Sequence, residues 1–297
     1  MKNNWGMLIF SFLAGVFLAL IAARFFGQSF FLKNNKVTKK KMADNIIAPY
    51  YRKSSFVKPK DVIVNATSGA TIKIPIIMYH YVENVKDVND LIKKRLDTNP
   101  ALFEEEIKTL KNAGYHTYFV KDIPAILEKK VSYATPAAVL TFDDGYQDFY
   151  TVVFPILKKY QIKATVYLIT NFINRSGFLT DDQVKEIIKS NLVEIGSHTL
   201  NHLYLKYLPE AIARKQILES KKNLEERYKI QVDTFAYPYG AFSQKTIDLV
   251  KEAGYKAAVS VIPSVFQTQD KLFYLGRLRS GFFTPKTMLK EIEKFNR

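Results

Sequence analysis

The sequence predicts an α/β protein built on a parallel sheet closed into a barrel, preceded by a membrane-spanning helix and a linker. Between residues 74 and 278, short apolar runs rich in β-branched and aromatic residues alternate with helical patterns, which indicates parallel strands with helices packed outside them. The residues able to do chemistry fall at the carboxyl ends of different predicted strands: His80, Asp143 with Asp144, Ser197 with His198, and Tyr237 through Tyr239. In a closed barrel those ends meet on one face, whereas an open sheet would separate most of them. The third observation is an apolar run near the amino terminus.

That run, Met7 to Phe26, carries a single charge, Arg24. As a helix it would rise about 30 Å, enough to cross a hydrocarbon core. A cleaved signal peptide is the alternative, with Lys2 as a basic start and Ala22 and Ala23 as small residues; the length of the run favours an anchor. Arg24 near the end of the run, with Lys33, Lys36 and Lys39 to Lys41 after it, outnumber Lys2 and the amino terminus before it, which by charge alone would hold the bulk of the chain in the cytoplasm. The extracellular substrate inferred below argues the other way, and the expectation is a single-pass cell-membrane protein with its catalytic domain outside, or a secreted one if the segment is cleaved. Residues 1–32 thus form the anchor, 33–72 a Lys- then Asn/Ser/Thr-rich linker, and 73–297 the catalytic domain.

Within that domain the predicted strands are Ile74 to His80, Tyr115 to Val120, Ala137 to Phe142, Ala164 to Ile169, Val193 to Ser197, Thr234 to Tyr237, Ala257 to Val261 and Phe273 to Leu278. Asn99-Pro100 opens a helix that Gly114 ends, Thr180 begins one with capping-box spacing, and Pro209 opens a long one with Ile212, Ile217 and Leu224 on its apolar face. The chain has no cysteine, which excludes disulfides, thiolate nucleophiles and zinc-thiolate sites. Its formal charge of +16 comes without any nucleic-acid-binding motif, so no nucleic acid partner is expected. The same charge suits attraction to anionic wall polymers or lipid head groups, or simple solubility.

Three short segments carry the chemistry. Thr141-Phe142-Asp143-Asp144-Gly145 puts two carboxylates after a strand; a divalent cation on one would relieve their repulsion and leave the other as a base, although a lone Asp-Asp-Gly also suits an acidic helix-capping turn. Gly196-Ser197-His198-Thr199-Leu200-Asn201-His202 spaces two of the four histidines to share one side of a helical turn, as metal ligands or as surface histidines. Asp144 with His198 and His202 would leave open coordination positions, the composition of a catalytic site. In Phe235-Ala236-Tyr237-Pro238-Tyr239-Gly240, Pro238 fixes a turn that can present a backbone N–H, and Tyr239 can wall a sugar pocket.

With these motifs in this order, residues 75–297 resemble the NodB-homology polysaccharide deacetylases, carbohydrate esterase family 4. The resemblance implies a distorted (β/α) barrel, zinc (or cobalt or another divalent ion) on Asp144, His198 and His202, Asp143 as base, and an N-acetylated polysaccharide as substrate. The chain departs from the family pattern in two places. Ala236 stands where the third motif usually has arginine, and no histidine follows His202 to serve as the late catalytic histidine. These departures resemble a subgroup acting on poly-N-acetylglucosamine and related wall polymers, in which an early Met-Tyr-His supplies that histidine. Met78-Tyr79-His80 fits it, and Arg277 is the candidate to replace the missing arginine. The remaining histidine, His116, starts a predicted strand and is read as structural. An O-acetyl esterase and an inactive carbohydrate-binding protein of the same fold are the competing readings.

Overall fold

A computed structural model describes residues 70–87, 89–280 and 284–294. The proposed anchor and the linker through residue 69 lie outside these residues. Among the described residues, no helix is long and apolar enough to cross a membrane.

Among the described residues there are ten strands: β1 (Thr71–Lys73), β2 (Ile76–Tyr79), β3 (His116–Tyr118), β4 (Ala137–Phe142), β5 (Ala164–Leu168), β6 (Val193–Ser197), β7 (Thr234–Ala236), β8 (Ala257–Val259), β9 (Phe266–Thr268) and β10 (Leu278–Arg279). Eight form one all-parallel sheet in the order β10-β2-β4-β5-β6-β7-β8, with β3 paired to the first half of β4. β4, β5 and β6 are buried along their whole length, as strands covered on both faces must be.

Alternation along each strand sorts the apolar residues into two cores. Ile77, Tyr79, Leu140, Phe142, Val166, Leu168, Ile195 and Phe235 face outward and pack with helix residues such as Phe103, Ile107, Leu157, Ile187 and Ile217. Ile76, Val139, Tyr167, Ala236, Ala257 and Val259 face inward and fill the sheet's concave side. The Tyr167 ring needs Gly196 beside it, because a Cβ there would lie 2.4 Å from the ring.

The curled sheet is a half-barrel that one segment draws toward closure, which fits a distorted barrel. Val259 bridges to Leu275, and a few residues later Leu278 and Arg279 pair with Ile77 and Met78. The expected strand Phe273 to Leu278 is therefore split, its two parts serving β8 and β2 in turn. An antiparallel ribbon of β1 with β9, not read from the sequence, braces this segment. Gln267, fully buried on β9, donates to the carbonyls of Ile74 and Gly276 and accepts from the Gly276 N–H, each at 3.1 Å.

The helix Pro100–Asn112 is capped by the Asn99 side chain, which accepts from Ala101 N–H, and Gly114 follows its end at φ +76°. Thr180 forms the capping box of helix Asp181–Lys189. In helix Glu210–Tyr228, Ile217 and Leu224 are buried as expected, but Ile212 is 44% exposed and Ala213 is buried in its place. Ala213 shares the i, i+4 row with Ile217, and Ile212 falls outside that stripe.

Candidate active site

Strand β4 delivers the two carboxylates. Asp143 continues the ladder, its N–H donating to the Tyr79 carbonyl at 3.0 Å, and its side chain points into the barrel mouth. Asp144 and Gly145 then adopt φ +76° and +73°, two successive left-handed residues that turn the chain sharply. At 145 the positive φ favours glycine, and a Cβ would lie 2.7 Å from Leu168 Cδ2, which would have to move.

Both carboxylates are buried, at 3% and 4% exposure, and each is compensated differently. Asp143 receives both arms of Arg277, Nη1 to Oδ1 at 2.7 Å and Nη2 to Oδ2 at 2.8 Å. Arg277 is held in turn by its Nε on the Ser260 carbonyl at 2.7 Å and by Nη1 on Thr141 Oγ1 at 3.1 Å. Burial opposes ionisation of Asp143, but the guanidinium outweighs it and keeps the carboxyl below its usual range.

Asp144 Oδ1 faces His198 Nε2 at 3.4 Å and His202 Nε2 at 3.2 Å. Although buried, this oxygen has no hydrogen-bond partner among the described residues. The His198 Nδ1 lies 2.8 Å from the Ala236 carbonyl, which can only accept, so Nδ1 carries a proton and Nε2 is the atom turned toward Asp144. Burial works against a charged His198, but Asp144 and Asp143 outweigh it and hold this imidazole above its ordinary value. The His202 Nδ1 is 3.1 Å from the Tyr239 hydroxyl, and burial pushes that imidazole down to about 4, so it is neutral at pH 7. A carboxylate oxygen and two imidazole Nε2 atoms thus face one another. Ligands held about 2.0–2.1 Å from a tetrahedral ion lie roughly 3.3 Å apart. The two Asp144-to-imidazole separations match this, and all three ligand atoms lie within 4.8 Å of one another. The three side chains fit a divalent cation.

The local route to this geometry differs from the expected helical turn. Residues 198 to 202 form a turn in which Thr199 and His202 have φ +68° and +56°, closed by His202 N–H donating to Thr199 Oγ1 at 2.9 Å. Tight left-handed residues bring the two rings together, with centroids 4.8 Å apart.

His80 follows β2, and its Nε2 is 3.8 Å from Asp143 Oδ2. Burial pushes its imidazole below the ordinary value, with Asp143 and Asp144 pulling back. Pro238 is buried at the head of a short turn in which Tyr239 takes φ +59° and Gly240 φ +63°. His116 starts β3 opposite Ala137, at the amino end of the sheet and away from the mouth, where it is exposed.

Aromatic residues flank the site, and of these sequence reasoning singled out Tyr239 but missed Tyr81, Tyr146, Phe178, Tyr204 and Tyr207. On one side Tyr81 and Tyr146 stack with centroids 3.8 Å apart, and Phe178 lies 5.1 Å beyond. Burial and the Asp144 charge push the Tyr146 phenol far above its ordinary value, so it remains a neutral hydroxyl. On the other side Tyr239, Tyr204 and Tyr207 follow one another at 5.9 and 5.5 Å. The position of Tyr146, directly after Asp-Asp-Gly, was the one signal available for it.

Polar groups gathered at the carboxyl ends of parallel strands, with two buried ionised carboxylates facing imidazoles, define an enzyme site of the hydrolytic type. A family model described as polysaccharide deacetylase matches residues 130–258. The chain is 30% identical over 207 residues to YxkH of Bacillus subtilis, which is named for the same family, covering 70% of this chain and 71% of that protein. It is 27% identical over 221 residues to a poly-β-1,6-N-acetyl-D-glucosamine N-deacetylase of Staphylococcus aureus, covering 67% and 76%. Among solved structures, the Streptococcus pyogenes deacetylase PplD in complex with acetate is similar with a TM-score of 0.69 at 29% identity, covering 74% of this chain and 98% of that one. This chain belongs to the polysaccharide deacetylase family, carbohydrate esterase family 4. His80 and Arg277 lie outside the segment that the family model matches, and the geometry places them at the site.

Proposed function

We propose that this protein is a metal-dependent hydrolase that removes N-acetyl groups from N-acetylglucosamine-type residues of an extracellular or cell-wall polysaccharide. The observation that carries the reading is the convergence of Asp144, His198 and His202 beside a second carboxylate locked to Arg277. The named activities of the staphylococcal and streptococcal relatives support the same reaction class. Residues 7–26 would hold the domain at the outer face of the cell membrane.

Asp144, His198 and His202 would hold the ion, zinc by the nature of the donors, which when bound supplies Lewis acidity at the acetyl carbonyl and a more acidic water. Asp143, ionised and fixed by Arg277, accepts the proton of the attacking water. The Tyr239 backbone N–H, presented by the Pro238 turn, is assigned to the developing oxyanion. His80 sits on the same mouth and donates a proton to the departing amine, a poor leaving group until protonated.

The direct test measures released acetate and new primary amines together on N-acetylated glycans, with and without chelation. Chelation should abolish both products, and zinc or cobalt should restore both. Full activity in a verified metal-free preparation would end the metal reading, acetate without amine would indicate an O-acetyl esterase, and neither product would indicate a binding protein.

For the acid, His80→Ala should retain bound metal yet lose roughly 100-fold or more in turnover on acetamides, with a smaller loss on acetate esters. Since only protonated His80 can donate, wild-type turnover should fall as pH rises through its pKa, and that limb should flatten in the variant. Near-normal acetamide turnover by His80→Ala would remove the residue from the reaction.

A further inference from the structure

Arg277 and Arg279 stand two residues apart on the strand that closes the barrel, so the pleat gives them the same face. Arg279 lies opposite Met78 on β2, and the next residue extends the ladder, Ser280 N–H donating to the Met78 carbonyl at 3.0 Å. His80, two residues after Met78, lies just past the end of β2. Arg279 is therefore one pleat step beyond Arg277 toward the mouth, beside the candidate acid.

The two arginines differ in what surrounds them. Arg277 is fully committed, to Asp143, Thr141 and the Ser260 carbonyl. The Arg279 side chain has neither an ion pair nor a hydrogen bond among the described residues, although the residue is partly buried. Burial and the neighbouring Arg277 charge both act against its protonated form, with Asp143 as a more distant counterweight. The nearby carboxylates are already engaged, Asp143 by Arg277 and Asp144 by the two imidazoles. A guanidinium held partly out of water beside a second cation is costly unless an anion arrives to meet it. Its planar fork is shaped to receive a carboxylate or a phosphate.

We propose that Arg279 is a specificity-determining residue that binds an anionic substituent, a carboxylate or phosphodiester, carried by the sugar polymer next to the acetamide under attack. The inference rests on the deacetylase reading and narrows its substrate class to N-acetylated polymers bearing negative charge. The formal charge of +16 on the chain would draw such a polymer in from a distance, and Arg279 would read it at contact.

The experiment compares wild type, Arg279→Gln and Arg279→Lys by kcat/KM for acetate release on three probes. These are neutral N-acetylglucosamine oligomers, glycan strands bearing sugar-linked carboxylates, and an N-acetylglucosamine polymer joined through phosphodiesters. In Arg279→Gln the ratio of anionic to neutral kcat/KM should fall roughly 10- to 100-fold, the range that a hydrogen bond to a charged group supports. Arg279→Lys should recover part of it, and the anionic probe with the larger loss identifies the group bound. Added salt should erode the wild-type preference and leave Arg279→Gln nearly unchanged. A parallel loss on neutral and anionic probes, or no loss on any, overturns the inference while leaving the deacetylase reading intact. Failure of the wild type to release acetate from all three overturns that reading and the inference with it.

Discussion

Asp143→Asn is expected to cut turnover by about 10²–10⁴-fold, the range that a positioned general base contributes. Metal content per folded chain should stay that of the wild type, because Asp143 Oδ2 faces His80 and Arg277 while Asp144 Oδ1 faces His198 and His202. Asn keeps the shape of the side chain but cannot carry a proton away. The measurement is acetate release set beside metal analysis of the purified variant. Loss of the ion together with activity would show that the two aspartates have been assigned the wrong way round.

The second large effect is on stability. Arg277→Ala leaves Asp143 buried, charged and without its counter-ion, and breaking such a pair from one side costs about 3–5 kcal/mol. The Arg277 side chain is fully buried and that of Asp143 is 4% exposed, so solvent does little to screen the pair. Chemical unfolding should show the loss as a lower midpoint, and the remaining folded protein should turn over slowly because its base is no longer held. The double variant Arg277→Ala with Asp143→Asn should regain part of the stability and none of the activity. If the single and double variants unfold at the same midpoint, the pair is not what holds this corner of the barrel.

What the sequence made legible was mostly local. β4 and β6 run between the residues that the apolar pattern predicts, and the helix at Asn99-Pro100 and the capping box at Thr180 are both present. Asp144, His198 and His202 meet because each follows a parallel strand, and the ends of parallel strands gather on one side. The rest depended on contacts between distant residues. The turn that joins the two histidines uses left-handed Thr199 and His202, which spacing alone presents as a helical turn. The split of the closing strand and its Gln267 brace follow from the curvature of the sheet, which leaves no periodic trace. Ile212 read as core because a lone isoleucine near a helix start fits several rows, and only the packed neighbours select one.

The closing segment has a consequence in time as well as in space. Arg277 lies 134 residues after Asp143 in the chain. During synthesis the strand bearing the reactive carboxylate leaves the ribosome long before its counter-charge, and it cannot be desolvated cheaply until the later strand docks. The later-made piece is thus the one that permits the catalytic corner to dry. Every shortened product of translation that ends before residue 277 lacks that piece, and the active arrangement arises only once it has been made and docked.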